Sequence, residues 1–254
     1  MTKCVKKGSV SAGIVTYNNV SEIVPCLNSL IESTKGMDVD IYVFDNHSQD
    51  DTVHVIHQYF PHVHVIESSG NLGFGRGHNE ILKRISSEFH MVVNPDIQFT
   101  PKVVSELTVF MRHYPKVGIV TPKIRNADGS EQFLPKRDPK FSYVILSKFR
   151  PLRFFRDEYT RSGEVFNKPT RILSSTGCFF MIRTDVFKKV NGFDERFFMY
   201  FEDADLSRRV RKMSAIVFYP NACVYHAWKR DNTRSFRGVR IFLTSMIKYF
   251  WKWK

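Results

Sequence analysis

Val10-Ser-Ala-Gly-Ile-Val-Thr16, continued by Tyr-Asn-Asn-Val-Ser-Glu-Ile-Val-Pro-Cys-Leu-Asn-Ser-Leu-Ile-Glu-Ser33, sets the fold. The first run is short, apolar and β-branched, and reads as a buried strand. Residues 22–33 repeat apolar side chains at helical spacing behind a capping Ser21, with Pro25 tolerated in the first turn. The same unit recurs downstream. Strands at 39–44, 63–66, 89–93 and 117–121 alternate with helices at 52–59, 77–86 and 100–113, the last opened by Thr100 as cap and Pro101 at the first helical position. This βαβα order implies an α/β fold with a mostly parallel central sheet and helices on both faces.

After Pro122 the rhythm breaks, first at the turn Asn126-Ala-Asp-Gly-Ser130. Residues 136–171 are basic, aromatic and irregular, and read as a mobile or membrane-facing insertion. Regular patterns resume with a strand at 172–182, a helix at 185–190 ended by Asn191-Gly192, a helix at 203–212 and a strand at 215–219. The expected organisation is one domain over 1–228, with halves 1–122 and 123–228, and a basic aromatic extension over 229–254.

The 254 residues carry a formal charge of +13. Residues 136–171 (ten Lys/Arg, four Asp/Glu) and 228–254 (eight Lys/Arg, one Asp) account for all of it. A neutral core with two basic patches suits an anionic membrane surface or a phosphorylated acceptor, and argues against nucleic acid. The four cysteines form no C-x-x-C pair, which fits reduced thiols and a cytoplasmic location. Met1 to Ser9 is polar and basic with no apolar run behind it, and no stretch of 18 apolar residues predicts a spanning helix.

In an open α/β sheet, ligands sit beyond the carboxyl ends of the strands. Polar residues gather there: Thr16-Tyr17-Asn18, then Asp45-Asn46, the glycine-rich Gly73-Phe74-Gly75-Arg76-Gly77 leading to Asn79, and Asn94-Pro95-Asp96. Asp45 suits the imide N–H of a pyrimidine base, or else a turn; Asp50 and Asp51 are better placed to cap. The glycines suit close approach of backbone to a nucleotide with Arg76 near phosphate, or a plain strand-to-helix turn. Asn94 and Asp96 suit a hard divalent cation on a diphosphate, or a proline turn. Glu202-Asp203-Ala-Asp205 follows the aromatic run 197–201; apolar surroundings raise a carboxyl pKa and a helix N-terminus lowers it, so one of Glu202 and Asp203 serves as base while the other orients. The alternative is an acidic first turn partnered by Arg208 and Arg209, which Asp205 fits well. His226 either completes a metal shell or is structural.

Taken in order, Thr-Tyr-Asn, Asp-Asn-x-Ser-x-Asp, Asn-x-Gly-Phe-Gly-x-Gly-x-Asn, Asn-Pro-Asp, Thr-Gly-Cys-Phe-Phe-Met-x-Arg and Phe-Phe-Met-Tyr-x-Glu-Asp-x-Asp-Leu-Ser-x-Arg resemble the family 2 inverting glycosyltransferases of the GT-A fold, most closely the rhamnosyltransferase-like branch, over roughly 8–228. The resemblance implies a nucleotide-sugar donor, with dTDP-rhamnose first and UDP-sugars open, and a glycan or lipid-linked acceptor. It assigns Thr16, Tyr17, Asp45 and Asn79 to the nucleoside and Thr176 and Gly177 to the donor sugar. Asp96, with Asn94 beside it and His226 joining, would hold Mg²⁺ or Mn²⁺, and Asp203 would be the general base next to Glu202. Asn94 stands where the usual motif has Asp, removing one charge from the metal site. A nucleotidyltransferase and a non-catalytic binding protein are the competing readings. The tail 235–254 is expected either on an anionic leaflet, through Phe242, Tyr249, Phe250, Trp251 and Trp253 with Lys248, Lys252 and Lys254, or packed on the domain itself.

Overall fold

A computed structural model describes residues 6–132, 136–146, 153–227 and 235–254. The first half is the repeated unit the sequence predicts. β1 (Lys6–Thr16), α1 (Val20–Ser33), β2 (Val39–Asp45), α2 (Thr52–Tyr59), β3 (His64–Glu67), α3 (Phe74–Leu82) and β4 (Ser87–Val93) follow one another. Their strands lie parallel in the order β3-β2-β1-β4. Thr16 pairs with Asp45, Asp45 with Glu67 and Ile14 with Val93, so the strand ends, and the polar residues on them, share one edge.

The second half continues with β5 (Ile97–Phe99), α4 (Val103–His113), β6 (Val117–Arg125), α5 (Phe141–Leu146), α6 (Arg153–Thr160), β7 (Thr170–Arg171), β8 (Phe179–Arg183), α7 (Thr184–Lys189), α8 (Glu202–Val210), β9 (Ala215–His226) and α9 (Phe236–Lys252). The sheet extends as β4-β8-β6-β9-β5, with β7 also on β9. Here only β6 and β9 run parallel. Apolar side chains of α1, α2 and α4 cover one face of the sheet, and those of α3, α7 and α8 the other.

Several boundaries differ from expectation for physical reasons. α1 begins at Val20, so Ser21 is inside the helix and Pro25 lies in its second turn; the Asn19 side chain instead accepts from Thr16 Oγ1 and the Tyr17 amide. Thr100 does not cap α4, because its hydroxyl donates to the Cys223 carbonyl at 2.6 Å. β9 runs past Tyr219 because the register jumps from Pro122–Tyr219 to Lys123–Cys223, and Pro220 sits in that bulge. The expected strand 172–182 is split, since 174–178 leaves the sheet and reaches toward α8. Within the expected insertion 136–171, the described residues 136–146 and 153–171 are tied down: α5 and α6 are joined by Tyr143 Oη to Glu158 Oε1 (2.6 Å), and Arg211 holds Asp138 through two bonds of 3.0 and 2.8 Å.

The tail is docked on the domain. Met246 and Tyr249 of α9 are buried with Phe197, Phe201 and Ala204, and Phe242, Phe250 and Trp253 pack against them. Trp253 Nε1 and Lys252 Nζ both reach Asp205 Oδ1, at 2.8 and 2.5 Å. Among the described residues no helix is long and apolar enough to cross a membrane, and Cys26, Cys178 and Cys223 are free thiols.

Two histidines are sealed between β1, α3 and α7. His90 accepts or donates at Nδ1 with Ser11 Oγ (2.8 Å), while neither ring nitrogen of His78 has a hydrogen-bond partner. Burial, then mutual repulsion with His90, holds His78 well below the ordinary imidazole range; burial, then Lys188, pushes His90 down to about 3. The unfolded chain takes up protons that the folded chain refuses at these two rings, so their contribution is full above about pH 6.5 and is lost with acidification, by up to about 1.4 kcal/mol per pH unit per imidazole. His78→Phe, placed among Phe74 and Phe193, is therefore expected to shallow the loss of denaturation midpoint between neutral and mildly acid pH. An acid profile parallel to wild type would contradict this.

Candidate active site

The polar strand ends form a shelf. Tyr17 presents a ring that is 44% exposed, whereas Thr16, Asp45 and Asn46 are buried. The side-chain oxygen of Asn18, a residue in the left-handed region (φ 54), accepts from the Gln49 backbone amide (2.7 Å). Both oxygens of Asp45 accept from Ser48, one from its amide at 2.8 Å and one from its hydroxyl. Asp45 thus holds its own turn, with lone pairs left for one further donor. Asp50 restrains the start of α2 through Thr52, and Asp51 makes no capping bond.

The glycine-rich loop makes the strand-to-helix turn and packs closely on residues 193–198. A Cβ on Gly73 (φ 85) would lie 2.3 Å from the Phe198 carbonyl, one on Gly75 3.0 Å from Phe193 Cβ, and one on Gly77 2.8 Å from Val15. In the direction of a Cβ, these glycines admit protein backbone and side chains. The Phe74 amide donates to that same Phe198 carbonyl (3.0 Å), and the Phe74 ring packs on His78 and Phe193. Arg76 pairs with Glu195 at 3.5 Å on the surface. The Asn79 amide bonds the Phe193 N–H and carbonyl (2.8 and 2.9 Å) and Glu195 (3.1 Å). Asn46 similarly braces the Leu72 amide at 2.9 Å.

These struts carry one corner, residues 192–203. Tyr200 (φ 73) and Phe201 (φ 67) are consecutive left-handed residues immediately before the two candidate carboxylates. Such a conformation costs about 1–2 kcal/mol per residue and persists where surroundings impose it. Here α9 imposes it: Ser245 Oγ donates to the Met199 carbonyl (2.8 Å), and Phe201 packs on Phe242, Tyr249 and Phe250 at centroid distances of 5.5, 5.3 and 6.3 Å.

At the head of α8, Asp203 Oδ2 accepts from the Gly177 amide (3.0 Å) and Oδ1 from the Ala204 amide (2.7 Å). Thr176 lies half-buried beside them. Glu202 is buried, and its Oε2 has no hydrogen-bond partner. Burial first, then the charge of Asp203, pushes the Glu202 carboxyl above the ordinary range, so the proton of the pair resides on Glu202. Asp205 fits its structural reading: it is fully buried and binds Arg209 at 2.8 Å, with Lys252 and Trp253 on its other oxygen. Tyr159 of α6 was not anticipated. Burial, then Asp203, raises its phenol pKa, placing it beside the acid corner. An irregular-looking segment gave no periodic signal for it.

The 174–178 strap links the corner to the third group. The Asn94 amide donates to the Cys178 carbonyl (2.8 Å), one residue from Gly177. Asp96 Oδ1 is buried without hydrogen-bond geometry and lies 3.3 Å from His226 Nε2. Burial opposes charge on His226, but Asp96 and Cys178 outweigh it and raise the imidazole to about 10. A carboxylate and an imidazole would suit Mn²⁺ or Mg²⁺, and the imidazole would have to be neutral to ligate it. Among the described residues no three His, Cys, Asp or Glu side chains are arranged to hold a metal by themselves. An open depression of about 340 Å³ lined by Gln98, Ala127, Tyr225 and Ala227 adjoins His226 along the chain. A larger one of about 390 Å³, between α4 and Tyr219, contains none of the candidate residues.

A parallel half-sheet with its polar edge beside an acid-headed helix is an α/β architecture of the GT-A type. Residues 11–190 match the model of glycosyl transferase family 2, and 158–229 match one described as the N-terminal domain of galactosyltransferase. The chain belongs to glycosyl transferase family 2. It is 30% identical over 229 residues to the N-acetylglucosaminyl-diphospho-decaprenol L-rhamnosyltransferase of Mycobacterium tuberculosis, covering 84% of this chain and 74% of that protein. It is 26% identical over 206 residues to the low-salt glycan biosynthesis hexosyltransferase Agl10 of Haloferax volcanii, covering 78% and 60%. Among solved structures, S. aureus TarS 1–349 superposes with a TM-score of 0.64 at 17% identity, over 94% of this chain and 64% of that one. GalNAc-T7 with UDP, GalNAc and Mn²⁺ gives 0.68 at 14% identity, over 87% and 43%.

Because Glu202 keeps its proton in the folded state and loses it in the unfolded one, it costs stability as pH rises from 4.5, by up to about 1.4 kcal/mol per pH unit until its folded pKa is reached. Glu202→Gln is expected to make the decline in denaturation midpoint above about pH 6.5 shallower, where His78 and His90 have stopped titrating and the contribution of His226 is common to both proteins. An unchanged slope would place the proton elsewhere.

Proposed function

We propose that the chain is an inverting glycosyltransferase in cell-surface polysaccharide synthesis. It moves one sugar, with rhamnose from dTDP-rhamnose as first choice, to a hydroxyl of a glycan or lipid-linked acceptor at the inner face of an anionic membrane. The observation that carries this is Asp203, fixed by two backbone amides at the head of α8 next to a carboxyl that burial keeps protonated.

Asp203 accepts the proton of the acceptor hydroxyl. The acceptor oxygen bonds to the anomeric carbon as the bond to the leaving phosphate breaks, on the opposite face, and nucleoside diphosphate departs. Tyr17, exposed above Asp45, offers a stacking surface for the base, and Asp45 the remaining acceptor for its imide. Gly177 and Thr176 lie where the sugar passes between Asp203 and the Asn94 turn. Asp96 and His226 are the residues to hold Mg²⁺ or Mn²⁺, which would neutralise charge on the departing diphosphate. The M. tuberculosis relative's lipid-linked acceptor and the hexosyltransferase role of the Haloferax protein support the acceptor class and the chemistry.

Asp203→Asn is expected to lower kcat about 10²–10⁴-fold while donor binding, read by thermal shift across dTDP-, UDP- and GDP-sugars with and without Mn²⁺, survives. Turnover within about threefold of wild type would remove the base role. Release of pyrophosphate in place of nucleoside diphosphate would favour nucleotidyl transfer.

A further inference from the structure

Helix α9 is apolar on two sides. Its inner side is the clamp on the catalytic corner already described. Its outer side carries a second stripe at helical spacing: Phe236, Val239, Leu243, Ile247 and Trp251, exposed by 88, 42, 42, 65 and 68%. Single exposed apolar residues are ordinary, but five in register along one helix are an interaction surface. Of the residues that the sequence would send to a membrane, Trp251, Lys248 and Lys254 lie on this side and the others do not. Tyr249 is buried, Phe242, Phe250 and Trp253 pack inward, and Lys252 is committed to Asp194 and Asp205.

Charge identifies the occupant. Residues 235–254 contain five Lys/Arg and no Asp or Glu. Of these, Arg237, Arg240, Lys248 and Lys254 are exposed around the stripe. The patch continues onto α5, where Phe141 is 61% exposed with its ring 5.9 Å from Phe250, and the adjacent Lys140 is exposed. An apolar stripe edged by cations, on a segment without a carboxylate, fits the boundary between acyl chains and anionic headgroups, where such a helix sits about 5–10 Å deep.

We infer that the outer stripe of α9, edged by Arg237, Arg240, Lys248 and Lys254, is a monotopic docking surface for an anionic lipid bilayer. It rests on the transferase reading only for its purpose: the inner side of the same helix holds the corner bearing Asp203, so docking brings that carboxylate to the depth at which a lipid-linked hydroxyl is presented.

The test is co-sedimentation of the full chain with vesicles of phosphatidylglycerol in phosphatidylcholine and with phosphatidylcholine alone. Wild type is expected to bind the anionic vesicles, less tightly as salt rises. Ile247→Glu/Trp251→Glu should weaken that binding about tenfold or more with Tm within about 2 °C of wild type, since both side chains face solvent. Arg237→Gln/Arg240→Gln should weaken it by about fivefold per charge. Transfer to a short water-soluble acceptor should persist in Ile247→Glu/Trp251→Glu while transfer to a vesicle-embedded acceptor falls. Vesicle binding unchanged in the glutamate variant, or absent in wild type, overturns the inference. So does a concentration-dependent dimer dispersed by the same substitutions, which would make the stripe a self-interface. Intact vesicle binding with no sugar moved to either acceptor upholds the surface and overturns the transferase reading instead.

Discussion

Everything at the candidate site depends on how residues 198–203 are held. The backbone turns through two left-handed aromatic residues, Tyr200 and Phe201, a conformation that only surrounding contacts maintain. Those contacts come from three directions. Gly73 leaves room for the Phe198 carbonyl, where any side chain would collide. Asn79 pins the Phe193 backbone through both ends of its amide. Helix α9 supplies Ser245 to the Met199 carbonyl and an aromatic bed for Phe201. Aromatic pairs contribute about 0.5–1.5 kcal/mol each beyond burial, enough together to offset the backbone cost. The outcome is that Glu202 and Asp203 leave the corner in opposite environments, one sealed and one bonded to the amides of Gly177 and Ala204.

The two halves of the sheet divide the labour. Parallel β1, β2, β3 and β4 align their carboxyl ends by register, which gathers Thr16, Asp45 and the Asn94 turn on one edge without long-range design in the sequence. The mixed half supplies β8 between β4 and β6, so that the strap at 174–178 runs from the sheet to the head of α8. Asp205 ties that helix to the tail: a fully buried carboxylate satisfied by Arg209, Lys252 and Trp253 leaves α8 one way to sit. Removing one member of such a buried group costs far more than the group contributes as a whole.

Legibility in the sequence followed the range of the interaction. The parallel half was readable because each strand and helix is a local periodicity, and the strand-end residues followed from topology. The carboxylates at 202–205 were readable as a helix start. Contacts between distant segments were not. The glycines of 73–77 announce a close approach but not what approaches, and here it is protein backbone and side chains. Asn79 looks equally suited to a ligand or to a loop 114 residues away. β9 passes through Pro220 only because a bulge absorbs it. In α9, aromatic and basic residues occur on every side, so composition predicts both a packed and an exposed face without saying which residues belong to each.

The candidate site depends on α9 holding the corner at 198–203. Amide hydrogen exchange in Tyr249→Ala, which removes a fully buried ring from beneath Phe201, tests this most directly. The account predicts that amides of 200–205 exchange at least about tenfold faster than in wild type while those of β1 and β4 keep their protection. Unchanged protection at 200–205 in a variant whose α9 amides have become labile would show that the corner stands without its clamp.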